Sequence, residues 1–256
     1  MAAIFNPLDL TGKTILVTGA SSGIGRDTCV VLSQLGAKVV LTGRDRNRLE
    51  ETLALMQQAD HSISPHDVTN HSETSQWMSD IVSRTGPLFG LVHLAGISHT
   101  EAIRFLDMDK LEEVLDLNLK SAFSLVKAFR QKNIRSMPEA RVVLTSSVSG
   151  IRGYPGMAAY AASKGGIIAI TRPLALELAK ENIRLNCVTP GFVHTEMTIE
   201  MQTLLPAKEL EAAKQAYPLG LGTPRDISLP ICFLLSPASA WMTGQSIVID
   251  GGLTMK

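Results

Sequence analysis

The chain predicts an α/β fold with about seven strands in a parallel sheet, and three observations carry that reading. Apolar runs of strand length, bounded by turn residues, alternate with helix-period segments from one end to the other, which is the pattern of successive βαβ units. A glycine-rich turn, TGASSGIG from Thr18 to Gly25, joins the first apolar run to the first helical segment. No internal repeat, low-complexity tract or shift of composition divides the 256 residues, so one domain is expected across 1–256.

The elements follow in order. TILVT, Thr14 to Thr18, reads as a buried first strand; Gly25 to Leu35 has helical spacing; KVVLT, Lys38 to Thr42, reads as the second strand. Further strands are expected at 61–65, 88–94, 141–146, 183–189 and 246–249. Helices are expected at 46–58, 71–85, 108–132, 158–180 and 224–236. Pro173 falls inside the fourth of these, where its ring removes a backbone hydrogen bond and should kink or break the helix. The stretch 194–217 interrupts the rhythm. It is rich in Met and Leu and follows a strand end, where open α/β sheets bind ligands, so it reads as a mobile substrate flap, with a surface helix pair as the alternative.

Composition excludes several classes. Twenty-four basic and 24 acidic residues balance, with no block of like charge, so neither nucleic acid nor an anionic membrane surface is an expected partner. Asn6, Pro7 and Asp9 interrupt the N-terminus where a secretory signal needs an apolar core, and no run of 18 apolar residues occurs. A soluble, cytoplasmic protein is expected. Cys29, Cys187 and Cys232 are odd in number and far apart, without C-x-x-C spacing, so they read as buried apolar residues and no metal site is expected.

The chemistry concentrates at Tyr160 and Lys164 in YAASK. Four-residue spacing on a helix puts the phenol and the ammonium on one face. A phenol titrates near pKa ~10, and a cation beside it favours the phenolate, which would bring proton exchange into the working range. Ser147 in TSSVSG and Asn118 in LDLNLKS lie upstream; alone, either reads as an ordinary polar residue of a strand end or a helix.

In the glycine-rich turn, Gly19, Ser21, Ser22, Gly23, Ile24 and Gly25 would offer backbone N–H groups to a pyrophosphate at a helix start, although glycine clusters also serve plain turns. The second strand ends in Gly43 and Arg44, where an NAD-binding unit normally carries an acid for the ribose 2′-hydroxyl. A guanidinium pairs instead with a 2′-phosphate, which favours NADP(H) over NAD(H); Arg44, with Arg46 and Arg48, also reads as solvating a helix start. Asp67 and Val68, ending the third strand, are expected at an adenine edge, with Asp67 as a helix-leading residue the plainer reading.

Taken together, Tyr160 and Lys164 as Y-x-x-x-K, Ser147 thirteen residues before the tyrosine, and the T-G-x-x-x-G-x-G turn resemble the short-chain dehydrogenase/reductase family over the whole chain. Asn118, the PGFVHT segment from Pro190 and the closing GQSIVIDGG extend the resemblance. It implies a Rossmann-type doubly wound sheet of strand order 3-2-1-4-5-6-7, with helices on both faces. It also implies hydride transfer between a nicotinamide and an alcohol or carbonyl. By the same resemblance Ser147 would hold the substrate oxygen, Tyr160 would exchange its proton, Lys164 would lower the tyrosine pKa and hold the nicotinamide ribose, and Asn118 would join a proton relay through water. Ala95 and Gly96 would let the cofactor lie close, and Pro190, Gly191, Val193 and Thr195 would meet the nicotinamide amide.

The sequence departs from the family at His93 and Leu94, where Asn-Asn is usual, so the polar contacts of that strand need other support. The family also implies a homotetramer. Within it the chain is similar to 3-oxoacyl-[acyl-carrier-protein] reductases, but Pro138 and Glu181 stand where those enzymes carry basic residues for the carrier, with Lys132, Arg135 and Lys180 nearby. Ile151, Tyr154, Met157, Phe192, Met197 and Met201 are expected to line an apolar or mixed pocket, and Arg152, if turned inward, would pair with an anionic group. A 3-oxoacyl thioester, a sugar, a steroid and another small ketone all remain open as carbonyl or alcohol substrates. A non-catalytic NADP(H)-binding sensor or scaffold is the reading from another class, and an epimerase or dehydratase on a related fold is a third.

Overall fold

The computed structural model describes residues 6–196, 198 and 215–255. Seven strands form one parallel sheet in the order β3-β2-β1-β4-β5-β6-β7, the arrangement implied by the family resemblance. They are β1 (Thr14–Thr18), β2 (Lys38–Thr42), β3 (Ser62–Ile63), β4 (Gly90–His93), β5 (Ala140–Thr145), β6 (Ile183–Pro190) and β7 (Ser246–Ile249). Between them run α1 (Gly23–Gln34), α2 (Arg46–Ala54), α3 (Thr74–Thr85), α4 (Met108–Leu115), α5 (Ser121–Phe129), α6 (Ala158–Ala179) and α7 (Pro224–Leu235).

The strands of the sheet's middle carry apolar residues on both faces because helices cover both. On one side Leu16, Leu91, Val142 and Leu185 pack with Trp77 and Met78 of α3, Leu125 and Phe129 of α5, and Ile167 and Leu178 of α6. On the other, Ile15, Val17, Val39, Val143 and Val188 pack with Cys29 and Leu32 of α1, Leu49 of α2, and Ile231 and Leu235 of α7. Alternation along each strand therefore feeds two cores, as period-two side-chain direction requires.

Two arginines that sequence reasoning passed over hold the end of α7. Arg141 and Arg184 are register neighbours on β5 and β6. Arg141 Nη1 donates to the Leu235 carbonyl, and Arg184 donates to the carbonyls of Leu234 (3.3 Å), Ser239 (2.7 Å) and Met242 (3.0 Å). Cations at a helix C-terminus meet carbonyls that have no partner inside the helix. Burial, and then the neighbouring Arg141, bring the Arg184 guanidinium down to about 10.

Two expectations are corrected. Helix α6 runs unbroken from Ala158 to Ala179 with Pro173 inside it. Pro173 and Ala169, whose carbonyl loses its donor, both lie on the exposed side, so the missing bond falls outside the core. The helix expected at 108–132 is instead α4, a π-helical turn over Asp116–Lys120, and α5. Most of the expected flap, 194–217, lies outside the described residues, Met197 and Met201 included.

Candidate active site

The C-terminal ends of β1, β4, β5 and β6 open onto a cleft of about 550 Å³. Its lining gathers Gly19, Ser21, Ser22, Gly23, Ile24, Gly25, Arg44, Asp67, Val68, Ala95, Gly96, Ser147, Tyr160, Lys164, Pro190, Gly191, Val193 and Thr195. Every residue expected at the cofactor or the reacting carbonyl borders this space except Asn118, which is buried behind it.

The first turn closes on itself as tightly as its glycines permit. A Cβ at Gly25 would stand 2.0 Å from the Gly19 carbonyl oxygen, and one at Gly19, where φ is +68°, would stand 2.7 Å from the Ala95 amide. At the second strand end Arg44 and Arg48 are exposed on the cleft wall, and His66 stacks on Trp77 with ring centroids 4.2 Å apart. The Asp67 carboxylate accepts from both the amide (3.0 Å) and the hydroxyl (2.8 Å) of Thr69; burial raises its pKa, but these bonds and the nearby Arg44 outweigh it and the net shift is downward. Asp67 thus borders the cleft while its carboxylate is engaged by Thr69, at the turn that leads toward α3.

Ser147 leaves β5 as the N-cap of a 3-10 turn, Val148–Gly150, and its Oγ accepts from the Ser149 amide at 3.2 Å. Its hydrogen is left for another acceptor. Tyr160 and Lys164 stand one turn apart on α6, with Lys164 Nζ 5.8 Å from the phenol ring centre and donating at 3.0 Å to the Thr145 carbonyl. The expected cation-driven fall in the phenol pKa is not what the geometry gives. Burial raises the Tyr160 pKa, and the Ser147 hydroxyl, bonded to the phenol, pulls it partly back. Burial also brings the Lys164 ammonium down to about 8. Spacing put both groups on one face but did not determine where the ammonium points.

Asn118 lies in the π-helical turn and is almost wholly buried. Its Oδ1 accepts from the Ile97 amide (2.9 Å), and its Nδ2 donates to the Ile97 carbonyl (2.9 Å) and to Ser163 Oγ (3.0 Å). Extra residues in a helix commonly sit at functional sites, and here the bulge turns an asparagine inward beneath the cleft. Sequence reasoning missed Ser98, Thr145, Leu117, Thr198 and Glu196 on the cleft wall. Glu196 Oε2 accepts from the Gly23 amide at 3.1 Å. The Ser98 and Thr145 hydroxyls are buried without protein partners, polar atoms facing a space that a polar ligand fits.

The outer pocket is less as expected. Met157 is buried and takes a contact from Thr100 Oγ1 at 3.0 Å; Ile151 is half exposed. Arg152 does not turn inward: Nη1 donates to the Leu253 carbonyl at 3.0 Å, and its guanidinium lies 5.6 Å from the Tyr154 ring centre.

Residues 19–254 match the family described as enoyl-(acyl carrier protein) reductase. The chain is 39% identical to a 3-oxoacyl-[acyl-carrier-protein] reductase of Rickettsia prowazekii over 97% of its length and 99% of the relative's. It is 36% identical to that of Thermotoga maritima, over 96% and 99%. A solved short-chain type dehydrogenase/reductase from Mycobacterium marinum superposes with a TM-score of 0.87 at 28% identity, covering 98% of both chains. With the sheet order and the cleft described above, these likenesses establish that the chain belongs to the short-chain dehydrogenase/reductase family, enzymes acting on CH–OH and C=O groups.

Proposed function

We propose that this chain is an NADP(H)-dependent reductase of a 3-oxoacyl thioester, with Tyr160 as the proton donor. The observation that carries the reading is the convergence of Ser147, Tyr160 and Lys164 on one cleft that the glycine-rich turn and Arg44 also line. Buried Thr145 and Ser98 hydroxyls, and glycines whose Cβ atoms would clash, suit an extended dinucleotide lying across the strand ends. When bound, a reduced nicotinamide would supply hydride.

The protein's own part follows from its hydrogen bonds. Ser147 accepts from Ser149 and faces the Tyr160 phenol, and its hydroxyl would turn from the phenol to donate to a bound substrate oxygen. Tyr160, its pKa raised by burial, stays protonated at neutral pH and gives that proton to the oxygen as negative charge gathers there. Two donors aimed at one developing oxyanion is the preorganised stabilisation that dominates such reactions. Lys164, fixed by the Thr145 carbonyl on the same helix face as the phenol, keeps a positive charge in the cleft, placed to hold the ribose of the cofactor. Asn118 supports the wall opposite through Ile97 and Ser163.

The relatives' names support the thioester. A second reading, a small free ketone such as a sugar or steroid, is favoured by Glu181. It accepts from Arg130 Nε (3.1 Å) and lies 3.5 Å from Arg135 Nη2, so that Arg135, one of the basic residues near the carrier position, is buried and already engaged. The sensor reading is disfavoured by an intact set of proton donors. Three buried, unpaired cysteines suit the reducing cytoplasm, and among the described residues no helix is long and apolar enough to cross a membrane.

The test is oxidation of NADPH and NADH by the purified protein against a free β-ketoacyl thioester, the same group on a carrier, keto-sugars, oxosteroids and diketones. Turnover of a thioester with NADPH, abolished in Tyr160→Phe while cofactor affinity persists, is the expected result. Tight cofactor binding with no turnover on any of them would transfer the reading to the sensor.

A further inference from the structure

His93 ends β4, is 2% exposed, and is hydrogen bonded at both ring nitrogens. Nδ1 lies 2.8 Å from Thr18 Oγ1, at the end of β1; Nε2 lies 3.0 Å from Ser121 Oγ, the first residue of α5. The partners' other bonds determine who donates. Thr18 Oγ1 already accepts from the amides of Leu94 and Ala95, both at 3.2 Å, so its hydroxyl must donate to Nδ1. Ser121 gives its hydroxyl hydrogen to the Leu117 carbonyl, so it must accept from Nε2–H.

That last bond has a particular setting. In the π-helical turn the Ser121 amide reaches back to the Asp116 carbonyl, five residues away. The Leu117 carbonyl, which an α-helix would pair with that amide, is met by the Ser121 hydroxyl instead. Asn118 is the next residue of the same turn.

We propose that His93 is a positioning residue: as the Nε2–H imidazole it ties the end of β1, through Thr18, to the π-helical turn, through Ser121, and so holds Asn118 in register with Ile97 and Ser163. It thereby does for this chain what the absent asparagines do not. An imidazolium cannot take the same place, because a proton on Nδ1 would ask Thr18 Oγ1 to accept a third bond. Burial and the Lys164 charge push the ring the same way, down to about 3. The influence on turnover rests on the reading of Asn118 as part of the catalytic group; the influence on Asn118 itself does not.

The test combines three readouts on the full chain. In 15N-histidine NMR, His93 should be a single neutral Nε2–H ring with shifts constant from about pH 5 to 8. Hydrogen exchange at the Ile97 amide, the donor to Asn118 Oδ1, should speed by about tenfold or more in His93→Leu and in Ser121→Ala. In the same variants kcat should fall by about tenfold with NADPH affinity held within about twofold. His93→Gln, which keeps a donor toward Ser121, should recover part of both losses, and adding Ser121→Ala to His93→Leu should cost nothing further. If His93→Leu does not fold, Ser121→Ala carries the test. A titrating or Nδ1–H ring, or unchanged Ile97 exchange in a folded variant, overturns the proposal. A wild-type protein with no reductase activity would instead sink the functional reading, and the exchange result would still decide the role of His93.

Discussion

Gly150 lies directly against the backbone of Gly165: a Cβ at position 150 would stand 2.8 Å from the Gly165 amide nitrogen and 2.9 Å from the Lys164 carbonyl carbon. The 3-10 turn that begins at Ser147 is therefore seated on the α6 backbone at the position of Lys164. Ser146, beside it, adds a bond from Oγ to the Lys164 carbonyl at 2.7 Å. The distance between the serine and tyrosine donors is set by this contact, not by either side chain alone.

Gly150→Ala should therefore damage catalysis without touching a reacting group. Pushing the turn outward by about 1 Å moves Ser147 off the tyrosine, and displacements of that size cost about 100-fold in rate. The expected outcome is a fall of that order in kcat with NADPH binding nearly unchanged, measured by steady-state kinetics and cofactor fluorescence titration. Equal losses in both would mean that the turn supports the nucleotide side instead.

Arg44→Ala tests the 2′-phosphate assignment. A charge-assisted pair contributes about 1.5–3 kcal/mol, so the NADPH dissociation constant should rise by about 10- to 100-fold while that of NADH moves little. Arg48→Ala should show a smaller loss in the same direction, since it lines the same wall. Equal weakening of both cofactors in Arg44→Ala would remove the preference argument.

These sites differ in how far they were legible from the residues alone. Ser147, Tyr160 and Lys164 were readable because their spacing survives folding: one helix and one strand end bring them together in any chain of this topology. The π-helical turn was not, because an i to i−5 bond leaves no mark in hydrophobic periodicity; it depends on Ser121 finding Leu117 and His93 from another strand. The direction of Lys164 was lost for the same reason, since its partner is a backbone carbonyl on β5. Pro173 misled because sequence shows the missing donor but not that it falls on the exposed side of the helix.

The homotetramer that the family implies has exposed apolar surface to use. Leu176 on α6 is 74% exposed, and Trp241, ahead of β7, is fully exposed. Sedimentation of the wild type should give a tetramer, and Leu176→Glu, which sets a carboxylate on the helix expected to pack against its copy, should give a smaller species. A wild-type monomer at micromolar concentration would end this expectation.

His93 also gives a signature in acid stability. Its folded pKa, about 3, lies below the ordinary value of 6.5, so between those values the unfolded chain holds a proton that the folded chain does not. Stability from this group is intact above about pH 6.5 and declines as the pH falls toward 3, by about 1.4 kcal/mol per unit. The measurement is urea unfolding of wild type and His93→Gln between pH 4 and 8. The wild-type advantage should be constant at the upper end and shrink toward the acid; a difference independent of pH would show that the ring is not held neutral.

Lys164 is shifted in the same direction, but its window lies above neutral pH, and its replacement separates stability from function. Burial brings its ammonium from 10.5 to about 8, so at pH 7 the folded protein carries a charge that it binds less well than the unfolded chain does. The shift corresponds to roughly 3 kcal/mol of destabilisation at neutral pH, using about 1.4 kcal/mol per unit. Lys164→Met should abolish turnover, yet raise the unfolding free energy at pH 7 by up to about that amount, less the loss of one bond to the Thr145 carbonyl. Between pH 8 and 10.5 the wild-type lysine becomes neutral in the folded state while the unfolded chain still holds its proton, so wild-type stability rises relative to the variant and the variant's advantage narrows. Denaturant melts of both proteins from pH 6.5 to 10 check the sign: an advantage that widens with pH, or a variant less stable at every pH, would mean that the buried ammonium is fully compensated by its carbonyl partner and that the site carries no such strain.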